Sequence, residues 1–246
     1  MASVLKYLEK AQEKLNKYAD YDNYIAELER KKNAAETLLI QYSEELSEIR
    51  KVAAVSLSEQ ITDALKVLNF LQVEFSIQLT KNTTYSANGN DEAEFMISLN
   101  PGEEPAPLAK IASGGELSRI MLGIKSVLAD KDAIETLIFD EIDSGISGRT
   151  AQKVAERLAV IAKNHQVICI THLPQIAAMA DSHYLIEKQS DGAKTATNVV
   201  LLSEDASTEE MARMLGGVTI TDSVLQNAKE MRELAESVKL RLRSVH

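Results

Sequence analysis

A chain of 246 residues with 45% hydrophobic side chains is long and apolar enough to bury a sizeable core, which excludes a wholly disordered protein. Its 37 acidic and 27 basic side chains give a formal net charge of −10, so DNA binding would need a local basic surface or another part of an assembly. One cysteine, Cys169, excludes an intrachain disulfide, and the lack of a membrane-length apolar stretch or signal-peptide pattern predicts a soluble cytoplasmic protein.

The first fifty residues predict a long helix, because residues 4–53 contain neither Gly nor Pro and are rich in Glu, Lys, Leu and Ala. Steps of three and four residues follow a mostly apolar seam, which is typical of a coiled coil; a bundle helix is the alternative. The segment Asp20-Tyr21-Asp22-Asn23 favours caps and turns and predicts a break. We assign residues 1–58 to a coiled-coil arm and residues 59–246 to a second domain. The seam comprises Val4, Tyr7, Ala11, Lys14, Tyr18, Tyr21, Ile25, Leu28, Lys32, Ala35, Leu39, Tyr42, Leu46, Ile49 and Ala53.

The hydrophobic period changes from that of a helix to that of a strand near Leu68. Apolar and polar side chains alternate over residues 73–79 and again over residues 95–99, which predicts two strands. The polar residues 81–91 between them predict a loop. Residues 101–107 hold three of the four prolines and predict an irregular segment.

The segment Ser113-Gly114-Gly115-Glu116 has the form of a helix start. A Ser cap with Glu three residues later is a capping box, and the glycines leave backbone N–H groups uncovered. Uncovered amides at the positive end of a helix can bind phosphate oxygens. On these four residues alone a plain capping box is the better interpretation, so phosphate binding needs support from other motifs.

An apolar run, Leu137-Ile138-Phe139, ends in the adjacent carboxylates Asp140 and Glu141. The run is too short for a helix and is typical of a strand buried on both faces of a mainly parallel sheet. Ligands bind at the carboxyl edge of such sheets, where two acids are placed to hold Mg²⁺ and to orient a water for attack on a phosphate. A strand that runs into a solvated acidic turn explains these residues equally well.

The remaining elements continue an α/β order. An amphipathic helix is predicted from about residue 149 to 163, and a second apolar strand over residues 166–170 ends in Thr171-His172-Leu173-Pro174. A short helix follows. Strands are then predicted around residues 183–188 and 198–202, before a short helix that ends at Gly216-Gly217 and a closing helix from about Asp222.

The order of these motifs is more specific than any one of them. It resembles the carboxyl-terminal half of ABC-type ATPase heads of the SMC class, and most closely the RecN family of bacterial DNA-repair proteins. Residues 113–119 resemble the ABC signature, residues 137–141 the Walker B strand and residues 143–147 the D-loop, while His172 resembles the switch histidine. The resemblance includes the arm and therefore covers nearly the whole chain.

The resemblance implies a role for each motif residue. Asp140 would hold Mg²⁺, Glu141 would orient the attacking water, and His172 would contact the γ-phosphate of ATP. Ser113, Gly114 and Gly115 would meet the nucleotide bound by an opposite head. The full set of residues that would bind the nucleotide comprises Ser113, Gly114, Gly115, Glu116, Asp143 and Ser144.

The implied fold is the α/β carboxyl-terminal lobe of an ABC/SMC-type P-loop ATPase head that follows a long N-terminal coiled-coil helix. The Walker A pattern Gly-x-x-x-x-Gly-Lys-Ser/Thr occurs nowhere in the 246 residues, so we expect this chain alone to be inactive. The implied partners are the N-terminal half of the same protein, with the Walker A lobe and the ascending helix, a second head in an ATP-dependent homodimer, and DNA through the complete assembly. No membrane partner is implied.

The implied function is ATP hydrolysis, with ATP and Mg²⁺ as cofactors, in double-strand-break repair and recombination. The implied location is the cytoplasm, in association with the nucleoid. Two alternatives remain open: a nucleotide-gated coiled-coil tether without significant turnover, and a transporter-type ABC subunit. The long heptad arm before the signature argues against the transporter.

Overall fold

A computed structural model describes residues 2–129, 133–190, 195–217 and 219–244. The chain divides into two compact units: Met1–Val55 with Leu79–Ala93, and Ser56–Gln78 with Glu94–His246. Helices and strands are mixed along the chain, and a long helix lies near its amino end, which confirms the predicted fold class. In the part of the chain that the structure describes, no helix is both long enough and apolar enough to cross a membrane.

Two helices form the amino-terminal part of the chain, α1 at Ala2–Ala19 and α2 at Tyr21–Val67. The predicted break is confirmed, because α1 ends one residue before Asp20 and α2 begins one residue after it. The Asp20 carboxylate accepts a hydrogen bond from Asn23 Nδ2 at 2.5 Å, and its carbonyl accepts one from Tyr24 N at 3.0 Å. The Asp20 carbonyl thus accepts a backbone hydrogen bond from the first turn of α2, as the carbonyl of an N-cap residue does.

The next elements are strands β1 at Glu74–Ser86 and β2 at Gly89–Ser98, which are neighbours in one sheet. The predicted loop at residues 81–91 is therefore wrong, since only two residues separate the strands. Gly89 has φ +84°, a conformation that glycine adopts readily, and it lies at this tight turn. Residues 80–86 are exposed, so they carry no apolar alternation from which the strand could be recognised.

A two-residue strand, β3 at Ala106–Pro107, pairs antiparallel with β2. The segment predicted to be irregular is thus irregular only up to this pairing, and a short 3₁₀ turn at Leu108–Lys110 follows it. Proline fits here because β3 lies at the edge of its sheet, where a missing N–H group interrupts no ladder.

Asp91, in β2, bonds to helix α2 within the first unit. Its carboxylate accepts hydrogen bonds from Ser47 Oγ at 2.6 Å and from Arg50 Nη1 at 2.9 Å. Arg50 Nη2 also donates to the carbonyl of Asn88 at 2.8 Å. The hydrogen bonds from Ser47 and Arg50 lower the pKa of Asp91 below its ordinary value. These contacts fix the tip of the β1–β2 hairpin to α2.

Helix α3 at Gly114–Leu128 packs against the carboxyl-terminal part of α2 in the second unit. A Cβ atom on Gly123 would lie 2.7 Å from Leu65 Cδ2, so the two helices approach closely because this position is glycine. The buried side chains of this cluster are Ile61, Leu65, Val73, Phe75, Ile97, Ile120 and Ile124.

Strands β4 at Thr136–Phe139 and β5 at Gln166–Cys169 form a parallel pair that helix α4 at Gly148–Ile161 connects. Leu137 and Phe139 are buried, but Ile138 is 68% exposed. The prediction that this strand is buried on both faces is therefore wrong. The side chains of alternate strand residues point to opposite faces, and the core of this chain covers one of them.

The rest of the chain contains α5 at Pro174–Ala177, β6 at Tyr184–Ser190, β7 at Thr195–Leu201, α6 at Glu204–Gly216 and α7 at Asp222–Ser244. Strands β6 and β7 pair antiparallel. The predicted elements of this region are confirmed, because the observed helices and strands occur in the predicted order.

Candidate functional site

The carboxyl ends of β4 and β5 lie side by side because the two strands are parallel. Phe139 is paired with Cys169, and Ile170 N donates to the Phe139 carbonyl at 3.0 Å. The residues that follow, Asp140 on one strand and His172 on the other, are exposed at the same edge. The structure thus brings together residues that the sequence only indicated separately.

Asp140 and Glu141 occupy a sharp turn of the backbone at this edge. Asp140 Oδ1 accepts a hydrogen bond from Glu141 N at 2.9 Å. Glu141 has φ +55°, in the left-handed region that residues with a Cβ atom seldom adopt. Its carboxylate reaches the start of α3, because a Cβ atom on Gly114 would lie 2.5 Å from Glu141 Oε2. The acidic pair therefore lies beside the amino end of α3.

The start of α3 packs directly on the residues that follow β4. Ser113 Oγ accepts a hydrogen bond from the backbone N of Glu116 at 3.4 Å, which confirms the Ser cap of the predicted capping box. A Cβ atom on Gly115 would lie 2.7 Å from Ser144 Cβ and 3.0 Å from the Glu141 carbonyl. Only glycine fits at this contact without a shift of the backbone.

Asp143 lies beneath the exposed edge and bonds to the residues that follow β5. Its Oδ2 accepts hydrogen bonds from Thr171 Oγ1 at 2.6 Å and from His172 N at 2.7 Å. His172 Nδ1 lies 3.0 Å from the same oxygen, and the His172 side chain is 73% exposed. A proton on Nδ1 would be donated to Asp143, which leaves Nε2 available to a ligand. The contact with Asp143 therefore orients the imidazole ring of His172.

Ser118, Arg119 and Thr171 also hold this site, although no individual role was predicted for them from the sequence. Ser118 Oγ donates to the Asp140 carbonyl at 2.8 Å, and Arg119 Nη1 donates to the Ser144 carbonyl at 2.7 Å. Burial lowers the pKa of Arg119. Helical spacing is a signal for Ser118, because it lies four residues after Gly114 and therefore on the same face of α3.

Comparison with known proteins identifies the family. No family model matches the chain. Its sequence is 39% identical over 241 residues to the DNA repair protein RecN of Halalkalibacterium halodurans, which covers 96% of this chain and 43% of that protein. The RecN of Bacillus subtilis is 36% identical over 251 residues, with coverages of 96% and 44%. The chain belongs to the RecN family.

This RecN chain corresponds to the carboxyl-terminal portion of these proteins and spans less than half of their length. Among solved structures, it is similar to an Smc head domain with a coiled coil and joint from Pyrococcus yayanosii. That similarity has a TM-score of 0.48 and 21% identity, and it covers 66% of this chain and 29% of the other.

The acidic edge of the RecN chain fits a metal ion that is shared with a phosphate ligand. Mg²⁺ in such sites binds one or two carboxylates together with substrate phosphates and water. Asp140 offers one exposed carboxylate at the strand end. Among the residues that the structure describes, no group of three or more His, Cys, Asp or Glu side chains is arranged to hold a metal ion. One exposed carboxylate is within the number of protein ligands that Mg²⁺ uses when phosphate oxygens and water supply the others.

Proposed function

We propose that this chain supplies one arm and the carboxyl-terminal lobe of a RecN-family ATPase that acts in DNA double-strand-break repair and recombination. The arm is residues 1–58 and the lobe is residues 59–246. The observation that carries the proposal is the meeting of an acidic pair, a glycine-rich helix start and a histidine at one edge of the β4–β5 pair. Such a set of groups suits phosphoryl transfer to water. The repair role rests on the relatives, which are DNA repair proteins.

The acidic pair and His172 would act on the nucleotide of their own head. Asp140 would hold Mg²⁺, which when bound neutralises charge on the phosphate oxygens. Glu141 is exposed and one residue further along, so its carboxylate can accept a hydrogen bond and then a proton from the attacking water. His172, with Nδ1 turned to Asp143, would direct Nε2 to the γ-phosphate.

The amino end of α3 would act on the nucleotide of a second head in an ATP-dependent homodimer. Its uncovered amides and the positive end of its dipole favour a phosphate oxygen. Ser113 is exposed, and Ser144 lies against Gly115 on the same surface. Glu116 would support this surface through its backbone bond to Ser113, and Asp143 would support it through its bonds to the residues after β5.

The N-terminal half of the same protein would complete the lobe. The face of the β4–β5 pair that contains Ile138, Ile168 and Ile170 is exposed, by 68%, 46% and 49% respectively. Apolar surface of this kind marks an interaction site. The relatives are more than twice as long as the matched part, so the covering lobe, with a Walker A loop, would come from the rest of the protein. DNA would be bound by the complete assembly.

An ascending helix would cover the coiled-coil seam of the arm in the same way. Val4, Tyr7, Tyr18 and Ile49 on the seam are all exposed. A seam of this length is stabilised when a second helix packs its side chains into it. The N-terminal half is the source that we propose for this helix.

Substitution of the two acids in the full-length protein tests this function. Glu141→Gln keeps the shape of the side chain but removes most of its proton affinity, so ATP should still bind and close the dimer, while hydrolysis falls by roughly 10²–10⁴-fold. Asp140→Asn should weaken the metal-dependent step itself. The measurements are the dimer fraction with MgATP, by light scattering, and the steady-state rate of phosphate release.

Two outcomes would contradict the proposal. If Glu141→Gln hydrolyses ATP at the unmodified rate, the acids have been given the wrong roles. If the unmodified protein closes with ATP but releases no phosphate, the protein is a nucleotide-gated tether and not an ATPase.

A further inference from the structure

Two neighbouring side chains of α3 bond the backbone that follows β4, residues 140–144, which we call the acidic loop. Ser118 Oγ donates to the Asp140 carbonyl at 2.8 Å. Arg119 Nη1 donates to the Ser144 carbonyl at 2.7 Å and to the Ile142 carbonyl at 3.5 Å. The acceptors are all backbone oxygens. These bonds therefore fix the backbone of the loop and do more than hold a single side chain.

Arg119 has little freedom to move. The residue is 7% exposed, and its guanidinium carbon lies 5.4 Å from the centre of the Phe70 ring. A planar guanidinium that stacks on a ring and donates to fixed carbonyls is held in one orientation. The two bonds of Arg119 therefore attach the acidic loop to α3 through a rigid group.

Direct backbone contact completes the attachment. A Cβ atom on Gly115 would lie 2.7 Å from Ser144 Cβ and 3.2 Å from the Ser144 carbonyl oxygen. The first turn of α3 and the acidic loop thus touch with no room for one further carbon atom. A shift of either element must displace the other.

We propose that Ser118 and Arg119 are positioning residues that make α3 and the acidic loop move as one body. The inference rests on the proposed function, in which Asp140 and Glu141 serve the nucleotide of their own head while the amino end of α3 serves that of a second head. Closure of α3 on the second nucleotide then moves the acidic loop, and with it Glu141. The same bonds thus couple the two ATP sites.

Hydrogen exchange in this chain tests the attachment without ATP. Exchange is followed at two amides of this region that donate to backbone carbonyls: Ser144 N donates to the Glu141 carbonyl at 2.9 Å, and Ile146 N donates to the Asp143 carbonyl at 3.4 Å. Loss of a neutral hydrogen bond in Ser118→Ala should speed their exchange about 3- to 10-fold, and loss of charged bonds in Arg119→Gln about 10- to 100-fold.

A matched control comes from the same helix. Ser126 Oγ donates to the Gly123 carbonyl at 2.7 Å, which lies within α3 itself. Ser126→Ala therefore removes a hydroxyl bond of the same kind that does not reach the acidic loop. Exchange of the Ser144 and Ile146 amides should be unchanged in this variant.

The kinetic test uses the full-length protein. Because Ser118 and Arg119 donate to backbone carbonyls of the acidic loop and have no nucleotide contact in the proposed function, Ser118→Ala and Arg119→Gln should leave the Kd for ATP within about 2-fold of the unmodified value and lower kcat about 10-fold. Arg119→Lys, which keeps the charge and a donor, should restore part of kcat. Ser126→Ala should change neither quantity.

The inference is overturned if the Ser144 and Ile146 amides exchange at the same rate in Ser118→Ala or Arg119→Gln as in Ser126→Ala. It is also overturned if these amides exchange faster while kcat stays at the unmodified value. If Arg119→Gln does not fold, Ser118→Ala decides the result by the same two measurements. Absence of phosphate release from the unmodified protein refutes the proposed function instead, and the exchange rates then decide whether α3 and the acidic loop are attached.

Discussion

Replacement of Gly115 by Ala should destabilise the second unit, whereas the same change at Gly114 should not. A Cβ atom on Gly115 would lie 2.7 Å from Ser144 Cβ, 3.0 Å from the Glu141 carbonyl oxygen and 3.2 Å from the Ser144 carbonyl oxygen. Two of these atoms belong to the backbone and cannot move alone. A Cβ atom on Gly114 would meet the Glu141 carboxylate, which is exposed and can rotate away.

The size of the effect follows from two opposing terms. Forcing a methyl group into a packed contact costs about 1–3 kcal/mol. Ala in place of Gly within a helix stabilises the folded state by about 0.5–1 kcal/mol. Gly115→Ala should therefore lower the free energy of unfolding by about 1–2 kcal/mol, and Gly114→Ala should leave it unchanged or raise it slightly. Because both changes add one methyl group to the same helical turn, their difference isolates the contact with the acidic loop.

Cys169 provides the assay, since it is the one cysteine of the chain and lies in β5 of the second unit. Burial raises the pKa of its thiol to about 12, so the folded protein should react slowly with a thiol reagent near pH 8, and the unfolded chain rapidly. Pulse labelling across a urea series then gives an unfolding midpoint for this unit. Equal midpoints for the two glycine variants would refute the packing of the acidic loop on Gly115.

Three further predictions use other parts of the chain. This chain alone should bind MgATP negligibly because it has no phosphate-cradling Walker A loop, and tight 1:1 binding in a calorimetric titration would contradict the half-head assignment. Ser113→Arg in the full-length protein should leave the Kd for ATP within about 2-fold of the unmodified value and abolish turnover, because arginine would block the face that meets the second nucleotide. If the variant instead lost ATP binding and kept head-to-head association, Ser113 would serve the nucleotide of its own head. The lowered pKa of Asp91 gives a stabilising contribution that is complete above its ordinary pKa of 3.8 and is lost as the pH falls through the lower value of the folded state. Hairpin amides should therefore exchange faster in Asp91→Asn than in the unmodified chain at neutral pH and equally in acid, and a ratio that stays constant with pH would contradict this.

Features that depend on neighbouring residues could be predicted from the sequence. The break at Asp20 and the cap at Ser113 follow from side chains that bond within a few residues of themselves. The two apolar runs that become β4 and β5 could be predicted from composition. Their parallel pairing then brings Asp140 and His172 to one edge, and this pairing follows from the helix between the strands.

Contacts between distant residues could not be predicted in the same way. Nothing in the local pattern indicates that Asp143 accepts hydrogen bonds from Thr171 and His172, or that Arg119 donates to Ser144, because each pair is separated by more than 20 residues. The burial of Ile138 was predicted wrongly for a related reason. An apolar side chain indicates that its surface is more stable when other atoms cover it. It does not indicate whether those atoms belong to the same stretch of chain.

The left-handed backbone at Glu141 has a consequence for protein engineering. At φ +55° a residue with a Cβ atom is destabilised by about 1–2 kcal/mol, a penalty that glycine avoids and that asparagine partly relieves. A library ranked by thermal stability should therefore enrich Gly and Asn at position 141 and discard the carboxylate. Selection for a more robust RecN chain would remove the residue that we assign to the attacking water, so stability and turnover must be screened together at this position.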